Sequence, residues 1–450
     1  MAPIRTLSKL GLYVTLFLVA FFLFKESTYF LAFTSNQDTR SYFNASRIGS
    51  PSDVRADVRT RNTSGPICGE ECPPGDAIVP DNYDSLFYNA DVKPFIGGAV
   101  CGSPFNYLPR YDNPCWMAGM LSGNTSGSAA RVLGMDLGNE MECQLRCLPL
   151  VHLAGFSKSG TADLYRALKK HPYFVHTRKE PLFWSYGRFD RNYTIDKYIN
   201  EIQYRVDQIR NFTQTVEGQL RHPKLMIDAS SAKMYFMDGY RYVPGQENLD
   251  EPKFTTAMSI KALIPEAKII VIMRNPIDRT YSRYRMFCHT CTPAEFHEFV
   301  TGFMSEMKFC LKHQTLRGCA YNYTLFASRM PCGTEQHSMF IRASLYYVYV
   351  KDWLAVFRRD QIYFVHAEEF FSQRSPIIKR ILTFLGLDHR LITGDNWRVI
   401  ADKPPTNVGV LKGRLGDGML NVTRMLLDQF FRPYNEMLAK LLNDTRFLWR

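Results

Sequence analysis

The chain contains no internal repeat, which excludes solenoids, propellers and other architectures built by stacking one unit. It is short of acid: 43 Asp+Glu stand against 55 Lys+Arg, leaving a formal net charge of +12. That excess favours an anionic partner, whether nucleic acid, lipid head groups, a nucleotide or an acidic polysaccharide, without choosing among them. No small-x-small cleavage site follows the apolar run near the N-terminus, where bulky residues fill the positions a signal peptidase would need. What the chain has in quantity is apolar surface. At 450 residues and 46% hydrophobic it can bury a sizeable core, as one large α/β domain with appendages or as up to about three domains.

The apolar run spans Leu10 to Phe24, with Arg5 and Lys9 before it, Lys25 and Glu26 after it, and a second apolar stretch from Tyr29 to Phe33. Together the two stretches supply a tilted span of roughly 20 residues, read as an uncleaved signal anchor over 10–33. Basic residues on its N-terminal side place a tail of residues 1–9 in the cytosol and the rest of the chain in a lumen, a single-pass type II topology. A lumen permits disulfides, and eight N-x-S/T sequons agree with it: Asn44, Asn62, Asn124, Asn192, Asn211, Asn322, Asn421 and Asn443. The eleven cysteines then read as disulfide partners, with an odd one free or bridging to another chain. A zinc site at Cys288, His289, Cys291 and His297 is the competing reading, and Cys310, Cys319 and Cys332 offer further partners in the same insertion.

Residues 34–80 are rich in Ser, Asn, Asp, Arg, Pro and Gly without apolar periodicity, as expected of a stem. Residues 81–147 mix aromatics with Gly and Pro and carry Cys101, Cys115, Cys143 and Cys147, which suggests a disulfide-pinned collar. From 148 to 450 short apolar runs alternate with helical segments, the pattern of an α/β domain with a mainly parallel sheet. Strands are expected at Leu148–Phe156, Lys224–Asp228, Lys268–Met273 and Ile362–Val365. Helices are expected at Thr161–His171, Thr255–Leu263, Leu345–Val356 and Ile377–Leu385. The C-terminal part should form a helix over Met419–Phe430 and a second, short one opened by Pro433.

Two segments carry chemistry. Gly155-Phe156-Ser157-Lys158-Ser159-Gly160-Thr161 leaves an expected strand and opens an expected helix, where backbone N–H groups and the helix dipole hold phosphate. It keeps the glycine spacing of a P-loop, but Thr161 stands where the lysine belongs and Lys158 lies inside the loop, so ATP hydrolysis is disfavoured. A lysine there suits a bridging oxygen on which charge develops as a group departs. Arg274-Asn275-Pro276-Ile277-Asp278-Arg279-Thr280-Tyr281-Ser282 also leaves a strand and enters a helix. Arg274 and Ser282 can converge on one phosphate, against the blander reading of a solvated helix start with Asp278 and Arg279 as surface charges.

At these two segments the sequence resembles the sulfotransferases that use 3′-phosphoadenosine-5′-phosphosulfate (PAPS), over roughly residues 143–450. The resemblance implies a P-loop-like parallel sheet flanked by helices. It implies that Ser157, Lys158, Ser159, Gly160, Thr161 and Ala162 hold the 5′-phosphosulfate while Arg274 and Ser282 hold the 3′-phosphate. Ala162 departs from the family, where a second Thr or Ser is common. Lys179-Glu180-Pro181-Leu182-Phe183-Trp184 and Phe431-Arg432-Pro433-Tyr434-Asn435 are similar to segments of the Golgi glycosaminoglycan enzymes, which makes Glu180 the candidate general base beside Lys158 as the catalytic pair. His171 and His176 are rival bases, His171 reading as structural. Lys412, Gly413 and Arg414 resemble a late loop that closes over the phosphosulfate. Short blocks, Asn113-Pro114-Cys115-Trp116, Arg146-Cys147-Leu148-Pro149, Thr161-Ala162-Asp163-Leu164-Tyr165 and Ile227-Asp228-Ala229-Ser230, are most similar to enzymes that add 6-O-sulfate to N-acetylgalactosamine 4-sulfate in chondroitin or dermatan sulfate. Heparan sulfate enzymes share the loop, the Glu and the C-terminal features.

The expectation is therefore a Golgi membrane enzyme with PAPS as co-substrate, no metal, an anionic glycosaminoglycan acceptor rather than nucleic acid, and self-association left open. Two rivals remain at this point. One is a glycosaminoglycan-binding membrane protein that has lost catalysis, and the other a luminal nucleotide kinase.

Overall fold

The computed structural model describes residues 107–121, 141–190, 193–242, 246–288, 290–322, 339–402 and 418–449, all within the unit Gly65–Arg450. The expected tail, anchor and stem, Cys101, His289, Cys332, and the loop residues Lys412, Gly413 and Arg414 lie outside the described residues, as does most of the collar. Among the described residues no helix is long and apolar enough to cross a membrane. Of the sequons described, Asn211, Asn421 and Asn443 are exposed and Asn322 is buried.

An antiparallel ribbon of β1 (Cys115–Leu121) and β2 (Met141–Cys147) comes first. Next come β3 (Val151–Gly155), α1 (Thr161–Leu168), β4 (Phe174–His176) and α2 (Ile195–Gln203). A small exposed hairpin of β5 (Gln214–Val216) and β6 (Gln219–Arg221) precedes β7 (Leu225–Asp228) and α3 (Thr256–Leu263). Then β8 (Lys268–Met273) leads into α4 (Pro276–Phe287), followed by α5 (Pro293–His313) and α6 (Tyr346–Leu354). The chain continues through β9 (Ile362–His366), α7 (Arg374–Phe384), α8 (Gly394–Asp402) and α9 (Asn421–Leu442).

The central sheet is parallel, in the order β4-β7-β3-β8-β9. Its strands are mainly apolar because both faces are covered, with His152 in β3 and Asp228 in β7 as buried polar exceptions. In β8, Ile269, Val271 and Met273 pack into one core with residues of α2 to α6 and α9, whereas Ile270 and Ile272 pack into a second core with α1 and α7. The alternation is the two-residue period of a strand, and each such side chain removed from water contributes about 1.5–3 kcal/mol. From β3 the chain moves outward to β4 and β7 on one side, then to β8 and β9 on the other. The strand order therefore switches between β3 and β8, and a crevice forms outside their carboxyl ends.

The ribbon is fastened to this domain. Cys115 and Cys147 are paired in register and disulfide-bonded across 32 residues of sequence, a closure worth about 3–4 kcal/mol. The Asn113 amide donates to the Lys224 carbonyl and accepts from the Met226 N–H at 2.7 Å. Trp116 and Leu145 share the larger core with the sheet. Cys288 pairs with Cys291 and Cys310 with Cys319, so the disulfide reading, not the zinc one, describes these four.

One expectation is corrected. The C-terminal part is a single helix, α9, with Pro433 inside it, not two helices. Its buried residues, Thr423, Leu427, Phe431, Asn435, Leu438 and Leu442, form one stripe through the proline. Pro433 and Gln429, whose carbonyl loses its helical donor, are both on the exposed face, so water can replace that bond while the stripe holds the two halves in line.

Candidate active site

The loop leaving β3 is shaped by close approaches. A Cβ on Gly155 would lie 2.7 Å from Met234 Cγ, and one on Gly160 would lie 2.7 Å from the Phe371 ring. Gly160 also has φ +96°, a left-handed conformation that glycine adopts without steric penalty. Lys158 is itself left-handed at φ 69°. The Ser159 N–H donates to the Phe156 carbonyl at 3.1 Å and closes the turn. Phe156 is clamped between Tyr235 and Tyr346, and Ser157 Oγ shares a 2.7 Å hydrogen bond with the Tyr235 hydroxyl. Gly160 caps α1, so the N–H groups of Thr161 and Ala162 belong to its first turn, where a helix offers no internal acceptor.

Parallel pairing of β3 with β8 sets Gly155 opposite Val271, so the chain leaving β8 at Arg274 emerges beside this loop. The Arg274 segment is pinned from two sides. Tyr346 donates to the Arg274 carbonyl at 2.8 Å, and the Asn275 N–H donates to Glu368 at 2.8 Å. Asn275 then caps α4 by accepting the Ile277 N–H at 3.0 Å, with Pro276 in the first turn. Arg279, Ser282, Arg283 and Met286 recur at helical spacing along one face of α4. That face meets the loop, for Lys158 Nζ lies 3.7 Å from Met286 Sδ.

The surface-charge reading of Arg279 is overturned. Arg279 is fully buried, donating from Nε to Ser344 Oγ and from Nη2 to the Phe340 carbonyl, each at 2.6 Å. Asp278 faces outward instead and pairs with Arg424 at 2.9 Å. The consequence falls on Lys158, whose ammonium is pushed down to about 8 by burial first and then by Arg283, Arg274, Arg279 and Lys179. Cations driven together at the mouth of a parallel sheet have the charge complementary to a polyanionic ligand.

Glu180 follows β4 and has a left-handed φ of 60°, as Leu182 does at 68°. Its Oε1 accepts from Lys179 Nζ at 2.5 Å and from Ser231 Oγ at 2.7 Å. Lys179 therefore stands between the carboxylate and the cation cluster. The two histidines behave differently. His171 accepts the Tyr173 N–H at Nδ1 and reaches the Asp388 carbonyl from Nε2, a neutral ring with both nitrogens engaged in structure. His176 ends β4, and burial, Lys169 and Arg205 all lower it; none of these groups belongs to the Lys158 cluster.

The structure thus brings Lys158, Arg274 and the Ser157–Ala162 loop together, with Ser282 one helical turn before Met286 on α4. The sequence reading missed Arg279 and Arg283, although their i, i+4 spacing with Met286 at i+7 was a signal. It also missed Tyr235, Ser231 and the fully buried Lys233, for which only the quoted Asp228 and Ser230 gave a hint.

Residues 149–396 match a family model described as the sulfotransferase domain. Over 389 residues the chain is 28% identical to carbohydrate sulfotransferase 15 of Mus musculus, an alignment covering 77% of this chain and 66% of that protein. The chain thus spans slightly less than two thirds of that relative's length. It is 22% identical over 304 residues to bifunctional heparan sulfate N-deacetylase/N-sulfotransferase 1 of Xenopus tropicalis, covering 65% of this chain and 30% of the other. Among solved structures, a sulfotransferase from Alicyclobacillus acidocaldarius aligns at a TM-score of 0.40 and 22% identity, over 66% of this chain and 96% of that one.

Proposed function

This chain belongs to the sulfotransferase family, and from that premise we propose that it transfers a sulfuryl group from PAPS to a hydroxyl of an anionic glycosaminoglycan. The observation that carries the reading is the convergence of Arg274, Arg279, Arg283 and Lys179 on Lys158 at the carboxyl ends of β3 and β8. A nucleotide bearing a phosphosulfate and a second phosphate supplies the anionic groups that such a cluster is suited to hold.

In this reading the loop Ser157–Ala162 and the late residues Lys412, Gly413 and Arg414 hold the phosphosulfate, and Arg274 with Ser282 holds the 3′-phosphate. Glu180 takes the proton of the acceptor hydroxyl as its oxygen attacks sulfur. The bond from sulfur to the bridging oxygen breaks in line, and Lys158 stabilises the charge left on the departing phosphate. The atoms balance with one sulfated sugar, one 3′,5′-bisphosphate nucleotide and one proton.

The favoured acceptor is C6 of N-acetylgalactosamine 4-sulfate in chondroitin or dermatan sulfate. It is supported by the short blocks around Asn113, Arg146, Thr161 and Ile227 and by the similarity to carbohydrate sulfotransferase 15. The same likeness supports a Golgi membrane location, with residues 10–33 as anchor and the catalytic part in the lumen.

The test is transfer from radiolabelled PAPS by the purified protein to chondroitin, dermatan and heparan sulfates, with disaccharide analysis. Label at C6 of a 4-sulfated galactosamine is the expected result. Label on glucosamine would move the enzyme to heparan, and no transfer to any acceptor despite nucleotide binding would favour a non-catalytic binding protein.

A further inference from the structure

We propose that Ser231 is a positioning residue for Glu180, held in place by the buried Asp228–Lys233 ion pair behind it, and that Oε2 is the oxygen of Glu180 left to receive the acceptor's proton. The inference rests on the reading of Glu180 as the base.

Both hydrogen bonds to the Glu180 carboxylate, from Ser231 and Lys179, go to Oε1. Among the described residues no hydrogen bond goes to Oε2. A carboxylate tied through one oxygen presents the other in a set direction, the preorganisation that in-line attack requires.

Ser231 owes its place to a turn at the carboxyl end of β7. Asp228 closes that strand, and its Oδ1 accepts the Ser230 N–H at 2.9 Å and the Ser230 hydroxyl at 2.8 Å. Asp side chains that bond the backbone two residues on build such turns. Lys233 locks the turn from inside, giving its three ammonium protons to Asp228 Oδ1 at 2.8 Å, the Asp228 carbonyl at 2.9 Å and His152 Nδ1 at 3.1 Å. Tyr198 from α2 donates to Oδ2 at 2.7 Å. Asp228, Lys233 and His152 are fully buried, so an opening of this network would strand polar groups without water.

The same turn also grips the Glu180 backbone. Ser230 Oγ accepts the Leu182 N–H at 3.0 Å. This bond holds a segment whose two left-handed, non-glycine residues would otherwise relax. Ser230 thus fixes the main chain of the Glu180 segment and Ser231 fixes its carboxylate. The charged and titratable groups facing Glu180 are Lys179 from its own segment, Lys233 from the turn after β7, and the Tyr186 phenol.

The experiment compares Ser231→Ala, Ser231→Thr, Glu180→Gln and the double variant Ser231→Ala/Glu180→Gln in the full chain, reading kcat, KM for the nucleotide and the melting midpoint. Expected for Ser231→Ala is a kcat lowered about tenfold with nucleotide KM unchanged. Ser231→Thr should restore kcat, and Ser231→Ala should add no further loss of kcat on top of Glu180→Gln. The proposal is overturned if Ser231→Ala lowers the melting midpoint but leaves kcat as in the parent. Should Glu180→Gln retain full turnover, the assignment of the base is wrong, and the proposal goes with it for that separate reason.

Discussion

Lys233 has an acceptor for each of its three ammonium protons, whereas the one hydrogen bond of Lys158 among the described residues runs to a thioether, with four cations nearby. Lys233 is fully buried and Lys158 half-buried, and both lie close to Glu180 or its neighbour Lys179. The Lys233 network is closed: Asp228 is pulled up by burial, yet Lys233 and His152 outweigh that and hold it down to about 2. His152, lowered to about 3 by burial and by Lys233, stays neutral and accepts. The Lys158 network is open, since the groups around it raise its energy and none neutralises it. A cation the scaffold needs is satisfied by the scaffold, while a cation kept for a ligand waits for one. The sign of the neighbouring charges separates the two roles.

The largest expected effect that would sharpen this contrast is on folding. Lys233→Met leaves Asp228 buried without its counter-ion and should lower unfolding free energy by about 3–5 kcal/mol, read from a urea midpoint. A near-normal midpoint would show that the two lysines do not differ as described. Lys158→Ala should act on turnover instead, lowering kcat by about 10²–10³-fold without lowering the midpoint.

Next in size is a pH effect on binding. Lys158 is held down to about 8, and in its proposed role it must be protonated to hold the nucleotide, so deprotonation of Lys158 should not weaken affinity for the 3′,5′-bisphosphate nucleotide below that pH. Above it, affinity should fall by up to about tenfold per unit, as calorimetry would register. A Lys158→Met protein should lack this slope.

The smallest effect is on the ligand-free protein. Because the folded value, about 8, lies below the ordinary 10.5, the unfolded chain binds more protons between them and stability should rise with pH across that window. Lys158→Met removes the penalty and should stabilise the ligand-free protein near neutral pH by about 1 kcal/mol, the full shift being reduced by solvent screening of a half-exposed side chain. A loss of stability in that variant would mean that Lys158 has a structural partner after all.

What the sequence disclosed was local. The Gly155–Thr161 loop could be read because strand, turn and helix are consecutive, and Arg274 because it ends an apolar run and precedes Pro276. Four of the five strands of the sheet were visible as short apolar runs, with boundaries within a few residues, whereas the three-residue edge strand β4 was too short to stand out. What stayed hidden depended on distant partners. Arg279 is buried only because Phe340 and Ser344 lie against α4, and Lys233 is matched to His152 across two strands. Pro433 reads as a helix start in isolation, but the buried stripe on both sides of it carries α9 straight through. The exposed hairpin of β5 and β6 has no apolar alternation strong enough to announce it.

The crowding of positive charge around Lys158 also bears on how long the molecule lasts. In the proposed reaction, PAPS held at this cluster would relieve that repulsion only in the folded state and so act as a folding ligand as well as a reactant. At a free concentration 100 times its dissociation constant it would add about 2.7 kcal/mol to the folded form. On that reading, survival of the protein against unfolding and proteolysis would be tied to the local abundance of its donor, and starvation for activated sulfate would lower the amount of enzyme as well as its rate.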